Sequence, residues 1–215
     1  MAASLAGNSS STTRLIERAA RGESEPLGEL LQRHRDRLKR MVSLRLDRRL
    51  QGRIDPSDVI QEASLEAADR LSEYIRNPTM PFFLWLRLLT AQRLQILHRH
   101  HLGARMRDAG REVAQYRGAL PEATSVALAA QLLGRDTRPS EAAVRAERKI
   151  RLLEALNSMD PLDRESLALR HFEQLTTAEA AEVLGITPAA AGKRYLRALE
   201  RLREILTDGP DRPEL

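Results

Sequence analysis

Apolar positions recur at intervals of three and four from Thr13 to Asp208, and that spacing predicts helix through nearly the whole chain. Leu, Ala, Arg and Glu dominate and β-branched residues are sparse, so intrinsic propensity agrees with the period and no segment alternates as a strand. The first half divides into helices over Leu15 to Arg21, Leu27 to Arg49, Pro56 to Ile75 and Pro81 to Arg107, with breaks at Gly22, Gly52 to Asp55 and Asn77 to Pro81. Between Gly110 and Ser140 the pattern loosens, because Gly118, Pro121, Gly134 and Pro139 interrupt short apolar stretches such as Val126 to Leu133. Three or four more helices follow from Glu141 to Thr207, broken at Asp160-Pro161 and at Gly185. The pattern therefore predicts an all-α chain of two small helical domains joined by a linker. The expected limits are a disordered leader over 1–12, a first domain over 13–109, a linker over 110–140, a second domain over 141–208 and a tail over 209–215.

The second domain ends in a helix-turn-helix pattern running from Thr176 to Thr187 and continuing as a basic helix to Leu206. Ala181 is the small residue such a motif needs where its helices cross, and Gly185, four positions later, suits a left-handed turn. Ile186 and Ala191 are expected to face into the angle between the helices, with Thr187 as N-cap and Pro188 in the first turn. A second helix of this kind enters the major groove, which makes Thr187, Ala189, Lys193, Arg194, Arg197 and Arg201 candidates for duplex contact. An ordinary helical hairpin would also place a glycine between two amphipathic helices, but it gives no reason for the basic second one.

In the first half, the helix after Asp55-Pro56-Ser57 has one apolar side, Val59, Ile60, Ala63, Ala67 and Leu71. Its other side is acidic and polar, with Asp58, Gln61, Glu62, Glu66 and Asp69. The preceding helix carries Arg35, Arg37, Arg40, Arg45, Arg48 and Arg49, so the signs are segregated onto neighbouring helices rather than mixed. A wet outer surface explains an acidic face by itself; the segregation points to docking of a basic partner. The next helix opens with Phe82, Phe83 and Trp85 and continues with Arg87, Arg93 and Arg99. Rings and cations on one helix suit unpaired bases, although Phe82 and Trp85, three apart, also fit a packed face.

The balance of 35 basic and 30 acidic residues gives a formal charge of +5, too small to matter for a polyanion unless it is clustered. There are no cysteines, which removes disulfides and thiolate chemistry and fits a reducing, cytoplasmic setting. No apolar run reaches the roughly 18 to 20 residues of a membrane span, so no membrane partner is expected. His98, His100 and His101 lack nearby carboxylate ligands and diverge around their helix, so no metal is expected. With no glycine-rich phosphate loop, nucleophile elbow or zinc signature, neither a cofactor nor an enzymatic role is expected.

Taken in order, these segments resemble the bacterial extracytoplasmic-function group of sigma factors, within the sigma-70 family. Asp55-Pro56-Ser57-Asp58-Val59-Ile60-Gln61-Glu62-Ala63 is similar to that group's polymerase-binding signature. Phe82-Phe83-Leu84-Trp85-Leu86 is similar to its F-x-x-W-L segment, and Leu156 through Leu206 to its helix-turn-helix run. The resemblance implies that Asp58, Gln61, Glu62 and Glu66 bind the clamp helices of the β′ subunit of core RNA polymerase. It implies that Asn77, Phe82, Phe83, Trp85, Arg87, Arg93 and Arg99 meet the opened minus 10 element, and that the second motif helix reads the minus 35 duplex. It also leaves room for an anti-sigma factor as a further partner.

The chain departs from the group's pattern at Gln92 and Ile96, where Asn and Asp are usual, and at Gly192, where a cation is common. With Ala189 to Ala191 filling the first turn, Lys193, Arg194 and Arg197 are left to carry the minus 35 contact, with phosphate dominating. The competing reading is a helix-turn-helix regulator acting without replacing sigma, which would bind a palindromic duplex on its own.

Overall fold

Three helix starts show how locally this sequence dictates its elements. Before helix α3 (Pro56–Arg76), the Asp55 carboxylate accepts the Ser57 N–H at 2.7 Å, and that bond holds the carboxyl below its ordinary pKa. Before α7 (Pro161–Leu167), Asp160 accepts the Leu162 N–H at 2.8 Å. Before α8 (Thr177–Leu184), Thr176 and Glu179 form a reciprocal capping box, with bonds of 3.1 and 2.7 Å. The first two caps are each followed by proline at the first helical position, which gives up no intrahelical bond there.

The computed structural model describes residues 2–23, 25–102, 123–133 and 142–207. The other helices are α1 (Ala2–Ala20), α2 (Glu25–Arg45), α4 (Phe82–Leu102), α5 (Ser125–Leu132), α6 (Ala142–Ser158) and α9 (Pro188–Thr207). A π-helical turn, Ala168–Phe172, follows α7, and no strand is found among the described residues. The chain divides into two units, Met1–Val42 with Leu46–Glu112, and Val113–Leu215 with Ser43–Arg45.

In the first unit α3 packs along α4, and α2 closes the core with Leu30, Leu38, Met41 and Val42. Every residue from Phe82 to Arg87 is buried, so the start of α4 is wrapped on all sides, as expected for a helix without a polar face. Tyr74 stacks on Trp85 at 4.6 Å between ring centroids, Phe82 leans on both, and the Tyr74 hydroxyl donates to the Met80 carbonyl at 3.0 Å. This cluster ties the loop before α4 to the end of α3. Residues expected as a disordered leader are instead helical from Ala2, and the Ser11 hydroxyl accepts from Arg33 at 2.7 Å, fastening α1 to α2.

In the second unit Leu152, Ala155 and Leu156 of α6 meet Leu167, Ala168 and Phe172, and Ala198 and Leu202 of α9. The expectation of a linker over 110–140 is corrected at its centre. Thr124 caps α5 through the Ala127 N–H at 3.1 Å, and Leu128 and Ala129 enter the same core. Other parts of that linker, and the tail, lie outside the described residues.

Two expectations test this packing. Trp85→Ala should cost the first unit about 3–5 kcal/mol, measured by urea denaturation, because it empties the centre of the ring cluster. Stability should also depend on acid. Burial, with the charges of Arg37 and Arg33, pushes His34 down to about 4, and burial lowers His98 as well. Both imidazoles are thus neutral in the fold, and the unfolded chain binds more protons. Stability is then complete above the ordinary value of 6.5 and lost as pH falls from there toward 4. Melting temperature should fall across that window, and a His34→Leu, His98→Gln double variant should flatten the curve. A wild-type curve that is flat across the window would contradict the assignment.

Candidate nucleic-acid interface

The second unit presents its motif as a close crossing of α8 and α9. Ala181 and Ala191 are 3% and 0% exposed, so the two helices approach through methyl groups. Gly185 takes φ 61° and ψ 39°, a left-handed turn that a side chain would strain, and the Ile186 N–H returns to the Ala181 carbonyl at 3.0 Å. Thr187 then caps α9 by accepting the Ala190 N–H at 3.2 Å. With Ala191, Ala198 and Leu202 turned inward, Ala189, Lys193, Leu196 and Arg197 stand on the exposed side of α9.

The cations of α9 are not equivalent. Arg194 donates to Asp163 at 2.7 Å and to Asp160 at 3.2 Å, and its side chain is 25% exposed. Arg197 donates to the other oxygen of Asp163 at 3.2 Å yet remains 62% exposed. One buried carboxylate on α7 therefore holds both arginines, drawing Arg194 to the flank of the helix and leaving Arg197 most of its donors. Arg201 pairs with Glu204 at 3.4 Å in solvent, and Lys193 is exposed. A Cβ built on Gly192 would meet only the Thr177 methyl, at 3.8 Å, so packing does not demand glycine there.

On α3, Asp58, Gln61 and Asp69 are exposed. Glu66 pairs with Arg70 at 3.1 Å, and Glu62 is bound by the Nε of Arg93, so a residue expected to meet protein and one expected to meet DNA hold each other. Leu65, at 65% exposure, sits one helical turn from Gln61, Glu62 and Asp69.

The expectations for α4 need correction. Phe82, Phe83, Trp85 and Arg87 are buried, because the whole first turn and a half of α4 is interior, and in this conformation none of them can meet a base. Asn77, in the loop before α4, and Arg99, farther along α4, are exposed. His98 is buried and accepts the Asp47 N–H on Nε2 at 3.2 Å, a structural task, while His100 and His101 are exposed. No cluster of metal-ligating side chains occurs among the described residues, and no helix there is long and apolar enough to cross a membrane.

Sequence reasoning missed Asp163 and Leu196. Asp163 could have been suspected as an acid in the first turn of a short helix, but its pairing spans α7 and α9 and follows no local spacing. Leu196 broke the polar side of an otherwise amphipathic helix, which was a visible signal.

Comparison with known proteins converges on this geometry. Residues 149–202, covering most of α6 through the core-facing part of α9, match the family described as "Sigma-70, region 4". Over 197 residues the chain is 27% identical to the ECF RNA polymerase sigma factor SigD of Mycobacterium tuberculosis, spanning 92% of this chain and 84% of that protein. It is 26% identical to the ECF RNA polymerase sigma factor BldN of Streptomyces coelicolor, over 90% of this chain and 65% of BldN. A solved structure of CnrH, in complex with the cytosolic domain of CnrY, shares the fold with a TM-score of 0.52 at 23% identity, covering 93% of this chain and 99% of CnrH. The C-terminal unit thus carries a sigma-70 region 4 domain, and over most of its length the chain is similar to ECF RNA polymerase sigma factors.

Proposed function

We propose that this sigma factor docks on core RNA polymerase through the exposed side of α3, meets opened minus 10 DNA beside the loop before α4, and reads the minus 35 duplex with α9. The observation that carries the proposal is the match to region 4 falling on a helix-turn-helix whose second helix exposes Lys193 and Arg197. In such a motif the N-terminal end of the second helix meets base edges and later cations meet phosphate. Thr187 and Ala189 are small and offer few donors, so affinity rests on Lys193, Arg197 and Arg201 and falls steeply with salt.

Polymerase docking is assigned to Asp58, Gln61, Glu62 and Glu66, with Leu65 at the middle of the face as an apolar anchor. Charges at the rim steer a basic partner and the central leucine is desolvated on contact. For the minus 10 element the interior position of the α4 rings moves the proposal outward, to Asn77 and Arg99, and to Arg93 once a partner competes for Glu62. Holding bases that have left the duplex costs unstacking, which stacking and phosphate contacts offset without ATP. A protein partner covering one of these faces would keep polymerase or DNA from it; CnrH, which shares the fold, was solved in complex with the cytosolic domain of CnrY.

Runoff transcription with purified core polymerase tests the whole reading. Initiation from a two-part asymmetric promoter is expected, and duplex binding by the isolated chain at a palindrome instead would favour the regulator. Asp58→Arg should weaken association with core at least tenfold in a pull-down titration while leaving the circular dichroism spectrum unchanged, since the side chain is exposed. Lys193→Ala should reduce the slope of log affinity against log salt by about 1, and Gly192→Arg should raise it by a similar amount. Unchanged slopes in both variants would take α9 out of the groove.

A further inference from the structure

Leu196 is 58% exposed on the outer side of α9, the same side as Ala189, Lys193 and Arg197 and opposite the buried Ala191, Ala198 and Leu202. A single surface leucine is ordinary. This one is not in ordinary company. Asp163 draws Arg194 to the flank and holds one edge of Arg197, and Gly192, one turn before Leu196, has no side chain. Around Leu196 the outward face then carries Lys193 one turn before it, Arg197 beside it and the acid Glu200 one turn after it, all exposed.

A leucine carries no donor or acceptor, so against a phosphate it gains nothing, and against base edges only one major-groove feature suits it. That feature is the 5-methyl group of thymine, which separates thymine from the other bases by apolar contact. Leu196 lies eight residues beyond Pro188, about 12 Å along the helix, so its base differs from those facing Thr187 and Ala189. We propose that Leu196 reads a thymine methyl in the minus 35 duplex, giving this chain a requirement for an A·T pair under the centre of α9. The inference rests on the sigma-factor reading above and adds a specificity-determining residue to it.

The test uses the full chain with core polymerase and promoters selected from a pool randomised over the minus 35 element. Each thymine of the selected element, on either strand, is replaced in turn by uracil, which removes only the methyl. One replacement is expected to weaken holoenzyme binding about fourfold, the equivalent of one buried methyl group, while the rest have little effect. Leu196→Ala should weaken binding to the thymine promoter by a similar factor and abolish the difference between thymine and uracil, whereas Leu196→Met should keep that difference. The uracil arm alters no protein residue, so it stands even if a variant misfolds. Selected elements without an A·T pair under α9, equal affinity for every uracil replacement, or a methyl preference undiminished in Leu196→Ala would each overturn the proposal while leaving initiation intact. Failure to initiate from any selected template would overturn the sigma-factor reading and this inference together.

Discussion

The close approach of α8 to α9 through Ala181 and Ala191 is the constraint on which the rest of the C-terminal unit depends. A larger side chain at either position would push the helices apart. The left-handed turn at Gly185 and the cap at Thr187 would then no longer aim α9 outward. Because the crossing fixes the rotation of α9, it also fixes which residues meet water. Ala198 and Leu202 are committed to the core shared with α6 and α7, and Lys193, Leu196 and Arg197 are committed to the surface. The electrostatics follow from the packing. Asp163 is buried at the start of α7, and its cost of desolvation is offset by two guanidinium groups from α9 that can reach it only at this helix rotation.

The N-terminal unit solves a different problem. The apolar start of α4 has no polar side, so it is stable only when surrounded, and α2, α3 and the loop before α4 surround it. Its rings serve that burial first: Trp85 stacks on Tyr74, and Arg37 lies 3.5 Å above the centre of Phe83. What remains for a partner is the reverse side of α3, where Asp58, Gln61 and Asp69 are exposed around Leu65, and the loop and far end of α4. A rigid interior behind the acidic face means that a partner would meet a preformed surface and lose little to ordering it.

Local chemistry was legible in the sequence, and chemistry spanning helices was not. Asp55-Pro56, Asp160-Pro161 and Thr176 with Glu179 announce their helix starts because cap and first turn are neighbours in the chain, and Gly185 announces its turn for the same reason. Phe82, Phe83 and Trp85 were ambiguous because a periodic apolar run does not say whether the opposite side is covered, and here the start of α4, Phe82 to Arg87, is covered all round. The helical state of Ala2 to Thr12 was hidden, since Ser and Thr are weak helix formers and the anchor that favours the helix there, Arg33, lies on another element. The helix Ser125–Leu132 looked like linker because its flanks carry glycine and proline, although its own Leu128 and Ala129 are core residues. The sharing of Asp163 by Arg194 and Arg197 could be seen only once α7 and α9 were placed side by side.

That shared carboxylate changes how the arginines of α9 divide their labour. Arg194, held by two oxygens of different aspartates, would have to abandon both bonds to face a base, and the buried Asp163 would then lose one of its two compensating cations. Arg197 contributes a single donor to Asp163 and keeps the rest of its fork in solvent, so it can reach a phosphate or a guanine edge without leaving its partner. Two arginines three residues apart on one helix thus differ in what DNA contact costs them. The difference is set by an acid on another helix, so the cations of α9 cannot be ranked from the sequence of α9 alone.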